Sequence, residues 1–351
     1  PFSIPPSTTL EEAMGMASNL IYLWMPDVIV VAMDLPIQER MYSTLAPLLT
    51  RLPHEVEAGL KTPRKYIAIT PLENGPLCMT WAAPLFNMDG VFFISELGKQ
   101  EAHKVGVTKA EHLIVGVDTV SWRLPSAEEK TQLRKGLGYS EDTFIVLTVA
   151  DNQERKNLWA GMDAVARLKK LVTRPIKYII VTREQNPFGF KLRDLAIDLD
   201  INAEYTPYER GMPQKDLWGL YAIADVYLQP SKAEGLGLPV LDAMCMKIPV
   251  IATDTGAIHE LLEGGRGNLI PSEYTFTDVW GNSKRDMIDR EKCKSTLAAY
   301  ATYIGEAGIP NPYERANDAY DYVEDRTWDI PARQLHNKIV ELLDEPKTEK
   351  S

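Results

Sequence analysis

Short apolar runs alternate along most of this chain with longer stretches in which apolar residues return at helical spacing. That alternation predicts strands and helices in turn. In the first half, 27–33, 65–70, 91–95 and 112–117 read as strands, the first of them buried. Helical spacing runs through 9–25, 37–49, 77–87 and 96–105. A polar connection over 121–142 contains a charged helix at 126–136. A second series follows. Strands are predicted at 144–150, 177–182, 201–205, 225–229, 249–253 and 268–271, and helices at 157–171, 188–199, 212–224 and 238–246. Asn157 is placed to cap the first of these helices. The tail, 283–351, reads as mostly helical; its run 345–351 is solvated, and 1–6 is a proline-rich lead-in. Strands alternating with helices through both halves predict an α/β chain with two doubly wound parallel sheets.

Bulk numbers narrow the classes. At 351 residues there is room for two ordinary domains, and 45% hydrophobic with 25% charged residues is a globular composition. No apolar run reaches the length of a membrane span, and no basic-then-apolar leader pattern opens the chain. A net charge of -11 argues against a nucleic-acid surface, which needs a concentrated basic face. Cys78, Cys245 and Cys293 are odd in number and far apart, so neither a disulfide framework nor a zinc spacing is predicted.

Chemistry concentrates at Ser231-Lys232-Ala233-Glu234-Gly235-Leu236-Gly237-Leu238-Pro239-Val240-Leu241-Asp242. This segment joins a predicted buried strand to a predicted helix with proline in its first turn. Gly235 and Gly237 let backbone approach a ligand, and the N–H groups of a helix's first turn favour anionic or hydroxyl-rich groups. Asp242, just inside the helix, is expected to reach the same ligand as Glu234. Arg155 and Lys156 lie between another strand end and helix, where two cations would hold a diphosphate. A bare Gly-x-Gly also begins the dinucleotide fingerprint, but Val240 stands at its third glycine position.

Glu234 to Met244 resembles the Glu-x7-Glu signature of retaining glycosyltransferases with the GT-B fold, closest to glycosyltransferase family 4. Asp242 stands where that signature usually has its second Glu. Arg155-Lys156-Asn157 resembles the Arg-Lys-Asn form of the family's diphosphate loop; Asp151 occupies the position where an arginine is commoner. Val115-Gly116-Val117-Asp118 resembles the segment preceding the second domain, and 89–98 resembles a strand–helix pair of the first. The resemblance implies two doubly wound Rossmann-like domains facing a cleft; this sequence departs from it in a shortened first domain and in lacking the glycine-rich loop after the first strand. It divides the chain into an acceptor-side domain at 1–122, a nucleotide-sugar-binding domain at 123–305 and C-terminal helices at 306–351, with 329–343 returning to the first domain.

By this resemblance Glu234, Lys156 and Arg155 are the catalytic residues, and Gly235, Leu236, Gly237, Leu238, Asp242 and Tyr208 bind the donor. Tyr208, Glu209 and Arg210 are expected in a loop that touches the base. The implied reaction is retaining, metal-independent transfer of a sugar from a nucleotide-diphosphate donor to a hydroxyl acceptor: a glycan, a lipid-linked group or a small molecule. No cofactor is expected. The implied setting is cytoplasmic, with peripheral contact at the inner membrane face left open, as is the oligomeric state. Other readings are a nucleotide-sugar-binding protein with little or no transfer, or a sugar-nucleotide epimerase. Asp198-Leu199-Asp200 has a metal-diphosphate form but reads as a solvated helix end, and the five histidines show no ligand spacing.

Overall fold

The structure, a computed structural model, describes residues 9–60, 62–303, 311 and 313–344. The lead-in 1–6 and the run 345–351 lie outside the described residues. Two units emerge. One holds the described residues up to Ile114, Trp280–Asn282 and those from Ile330 onward; the other holds Val115–Val279 and Ser283–Asp329. Among the described residues no helix is long and apolar enough to cross a membrane.

In the first unit β1 (Val28–Ala32), β2 (Lys65–Thr70), β3 (Gly90–Phe93) and β4 (Ala110–His112) form a parallel sheet in that order. Alternate side chains leave a strand on opposite faces. Tyr66, Ala68, Val91 and Phe93 therefore join Leu45, Leu72 and Leu85 in one core. Ile67, Phe92 and Leu113 meet Leu335, Ile339 and Leu342 of the helix Asp329–Asp344 in the other. Both faces are covered, as parallel sheets require. Two expectations are corrected. The run at 27–33 was expected to be buried, but β1 is an edge strand and Val30 is 39% exposed. The strand expected at 112–117 is Ala110–His112. Beyond Leu113 the backbone turns to side-chain partners: Ile114 N–H donates to Gln334 Oε1 at 3.0 Å, and Val115 O accepts from Arg326 Nε at 2.8 Å. The helix expected at 77–87 is a single turn, Met79–Ala82, then a 3-10 segment Ala83–Asn87, because Pro84 cannot continue the ladder.

The second unit holds a six-stranded parallel sheet, β5 (Phe144–Val149), β6 (Ile176–Thr182), β7 (Tyr205–Glu209), β8 (Val226–Gln229), β9 (Val250–Thr253) and β10 (Asn268–Ile270), in the order β10-β9-β8-β5-β6-β7. Strand order reverses between β5 and β8, which makes the crevice beyond their carboxyl ends the ligand-binding switch point of such a sheet. The strand expected at 201–205 instead spans Tyr205–Glu209. Ile201–Glu204 forms the turn before it, and Pro207 is tolerated because β7 pairs only with β6. The helix expected from Phe188 begins at Leu192, since the preceding residues fold around Asn152. After β10 comes an antiparallel hairpin, β11 (Ser272–Thr277) and β12 (Lys284–Ile288), so the tail expected to be mostly helical from 283 opens on a strand. Helices resume at Arg290–Thr302 and Arg315–Val323.

Candidate functional site

Every residue of β8 is buried, and the chain leaves it at Pro230 to enter the loop that ends at Gly237. Pro239 sits in the first turn of the following helix, Leu238–Cys245. Gly237 has φ +94°, and a Cβ there would lie 2.6 Å from Ile258 Cδ1. The backbone conformation therefore favours glycine, and a side chain there would also have to displace the end of Ile258. The Glu234 carbonyl accepts Ala257 N–H at 3.0 Å, tying the loop to the helix Gly256–Leu262. Gly235 and Leu236 are buried within the loop, while Leu238 is exposed at the helix start.

Glu234 is itself buried, 4% exposed. Its Oε1 accepts from Lys156 Nζ, Gln229 Nε2 and Ser231 Oγ, each at 2.7 Å. Its Oε2 accepts from Lys156 Nζ at 2.9 Å and Arg155 Nη1 at 3.2 Å. Burial pushes this carboxyl up, but the Lys156 and Arg155 charges, with the Lys156 and Ser231 hydrogen bonds, outweigh it and hold the group at about 2. The carboxylate stays ionised.

Both cations come from the loop after β5, where Glu154–Lys156 makes one 3-10 turn. Asn157 follows at φ +53°; its amide donates to Pro230 O at 3.1 Å instead of capping the helix Leu158–Lys169, which corrects the capping expected of it. Arg155 Nη1 also donates to Ala233 O at 2.6 Å, and Lys232 N–H donates to Arg155 O at 2.9 Å. Lys232 Nζ pairs with Glu154. The two loops of the switch point are thus laced together. The hairpin braces them from behind: Asp286 N–H donates to Lys232 O at 2.8 Å, and its Oδ2 accepts from Thr255 Oγ1 at 2.7 Å.

Glu234, Lys156 and Arg155 are therefore brought together beside Gly235, Leu236, Gly237 and Leu238. Asp242 is not bonded to them. It is half-buried on the helix, and burial followed by the nearby Asp118 carboxylate pushes it up to about 7. Tyr208 does not reach the group. It lies within β7 opposite Val181, three strands from β8, about 14 Å at ordinary strand spacing. It lines a groove of about 440 Å³ with Leu133, Leu137, Met212 and Trp218. The loop expected at Tyr208 and Glu209 is strand, and only Arg210 emerges at its end. Asp200, at the end of the helix Leu192–Asp198, is 95% exposed as expected of a solvated end. His259 Nδ1 lies 2.6 Å from Asp254 Oδ1 on an exposed face. Among the described residues no cluster of His, Cys, Asp and Glu could hold a metal ion. The sequence reading missed Gln229 and Ser231, which secure Glu234; their spacing of five and three residues before it was the available signal.

Residues 129–281 match the family model "Glycosyl transferases group 1". A GDP-mannose-dependent alpha-(1-6)-phosphatidylinositol monomannoside mannosyltransferase of Mycolicibacterium smegmatis is 31% identical over 194 residues, 52% of this chain and 49% of that protein. The lipopolysaccharide core biosynthesis mannosyltransferase LpsB of Rhizobium meliloti is 38% identical over 187 residues, 50% of this chain and 48% of that protein. The chain spans about half the length of the curated relatives it matches. Anabaena HepE, solved in complex with UDP and glucose, superimposes with a TM-score of 0.68 at 15% identity, covering 97% of this chain and 85% of that one. A glycosyltransferase from Rickettsia africae gives 0.67 at 16% identity, covering 98% and 84%. Residues 129–281 belong to the group 1 glycosyltransferases, and the fold is that of the GT-B enzymes.

Proposed function

We infer, with residues 129–281 as a member of the group 1 glycosyltransferases as premise, that this chain moves a sugar from a nucleotide-diphosphate donor to a hydroxyl acceptor. The observation that carries this reading is a buried carboxylate, held ionised by two cations, beside a glycine-bounded helix start at the switch point of a parallel sheet. Glu234 accepts hydrogen bonds only, so it orients the sugar through a hydroxyl. It supplies no proton near neutral pH. Lys156 and Arg155 face the bond that breaks. When the anomeric carbon parts from the diphosphate, negative charge grows on the leaving phosphate, and positioned cations lower that barrier. On this reading donor phosphates compete with Glu234 for both cations, which couples sugar placement to phosphate neutralisation. Retention of anomeric configuration and independence from metal belong to the same proposal, with a leaving-phosphate oxygen taking the acceptor's proton.

A second reading, donor binding with little transfer, draws on Asp242. Its carboxyl is raised to about 7 by burial and then by the charge of Asp118, which weakens it as a charged partner for ribose hydroxyls. One relative is named for GDP-mannose and one neighbour contains UDP with glucose, so both bases are tested. Thermal melts with UDP, GDP and their sugars identify the donor by stabilisation of the folded state. Nucleotide release is then followed with glycan and lipid acceptors. Release that depends on acceptor supports transfer. A shift without release under every acceptor supports the binding reading, and release without acceptor supports an epimerase or hydrolase.

A further inference from the structure

Beyond the Lys156 loop, the carboxyl ends of the next strands carry a second set of charges. Asp151 follows β5, Arg183 follows Thr182 at the end of β6, and Arg210 follows Glu209 at the end of β7. The Asp151 side chain is only 6% exposed. Arg183 Nε donates to its Oδ1 at 2.7 Å and Arg183 Nη2 to its Oδ2. Gln153 Nε2 donates to Oδ2 at 3.0 Å, and Arg210 Nη1 lies 3.6 Å from the same oxygen. Both guanidiniums stay open, 55% and 57% exposed. The buried acid fixes their place without covering them.

The frame beneath is tied to a buried side chain. Asn152 is fully buried; its Oδ1 accepts Phe190 N–H at 2.9 Å and its Nδ2 donates to Phe190 O at 2.9 Å. Asn186 Nδ2 donates to Asn152 O at 2.7 Å, and a Cβ on Gly189 would lie 2.4 Å from that oxygen. Arg183 therefore opens a loop whose later residues, Asn186 and Phe190, are bonded to the buried Asn152. Strand order sets the sequence along the edge: Glu234 after β8, Arg155 and Lys156 after β5, Arg183 after β6, Arg210 after β7. A nucleotide diphosphate laid along this edge, sugar toward Glu234, meets one cation group after another. Guanidinium is the side chain whose fork matches phosphate oxygens.

We propose that Arg183 and Arg210, gathered by Asp151, form an oxyanion subsite that takes a phosphate of the donor nucleotide, with Asp151 as its positioning residue. This deepens the donor-binding reading given above and rests on it for the identity of the ligand. A purely structural ion pair would not distinguish phosphorylated from unphosphorylated nucleosides; this subsite does.

Calorimetry on the full chain with uridine, guanosine, UDP and GDP tests the subsite. The quantity read is the affinity gained from nucleoside to diphosphate. Arg183→Gln is expected to cut that gain at least tenfold, Arg210→Gln several-fold. Asp151→Asn cuts it too, although both arginines remain. Arg183→Lys, which keeps charge but not the fork, guards against misfolding and should fall between. Arg193→Gln, whose guanidinium pairs with Glu184 on an exposed face, should leave the gain unchanged. An undiminished gain in Arg183→Gln and Arg210→Gln overturns the subsite. So does an equal loss for nucleoside and diphosphate, which would make the arginines base readers. If the unmodified chain binds none of these nucleotides, the donor-binding reading fails, and inorganic pyrophosphate decides the subsite alone: binding lost in Arg183→Gln keeps it, and no binding overturns it.

Discussion

Two acids eight positions apart in sequence, one in the loop and one in the helix that follows it, are driven in opposite directions by their surroundings. Glu234 is surrounded by donors and held at about 2 against an ordinary 4.5. A lowered acid stabilises the fold above its ordinary pKa and loses that contribution as pH falls toward its folded value, here between about 4.5 and 2. The difference amounts to roughly 3 kcal/mol. Glu234→Gln should therefore melt several degrees below the unmodified chain at pH 6, with the gap narrowing by pH 3; an unchanged gap would mean the ion pairs do not form. Glu234→Ala and Lys156→Ala should each lower transfer more than a hundredfold with circular dichroism unchanged, and turnover near the unmodified rate in either removes the site assignment. Asp242 runs the other way. Its folded value of about 7 lies above an ordinary 3.8, so ionisation destabilises the fold as pH rises through that interval, and the cost is complete above 7. Asp242→Asn should raise the melting temperature at pH 8 and leave it unchanged at pH 4. Equal effects at both would show that Asp118 and burial do not act on it.

At the scale of elements, the loop between β8 and its helix depends on one backbone conformation. Gly237→Ala places a Cβ against Ile258 and at φ +94°, which costs on the order of 1–3 kcal/mol and shifts the helix start. Lower stability with weakened donor binding is expected, and Ile258→Val in the same chain should recover part of the stability but not the backbone strain. Full recovery would show that the contact alone mattered. This loop was legible because strand, glycines, acid and proline are adjacent in sequence. Lys156 and Arg155 were legible for the same reason, each lying between a strand end and a helix. What could not be read is whatever depends on neighbours distant in sequence. Pro207 looks like a breaker until β7 proves to be an edge strand, so the strand was placed before it and Tyr208 beyond it. The β11–β12 hairpin carries β-favouring Tyr274, Thr275 and Phe276, but they are exposed and left no buried apolar run. Asn157 sits where a cap should be, yet its amide is drawn to Pro230, seventy-three positions away. Asp151 acquires its meaning only from strands β6 and β7 beside it.

For the whole molecule, net charge and local charge disagree in a useful way. The chain carries -11, yet the loops after β5, β6 and β7 present Arg155, Lys156, Arg183 and Arg210. Attraction to that local cationic edge makes nucleotide affinity fall with added salt, while the negative field of the whole chain repels long polyanions such as duplex DNA. The two units have separate cores, one around Phe144, Val146 and Leu228, the other around Tyr66, Val91 and Phe93. A ligand held by the second unit need not stabilise the first. Hydrogen exchange with saturating UDP or GDP should therefore slow amides at 150–157, 183–190 and 231–241, and leave β1 to β4 near their free rates when no acceptor is present. The segment 183–190 is the discriminating one. Slowing at 231–241 without it would keep donor binding at Glu234 and remove the arginines from the nucleotide's path, whereas slowing confined to the first unit would move the donor away from the carboxyl edge altogether.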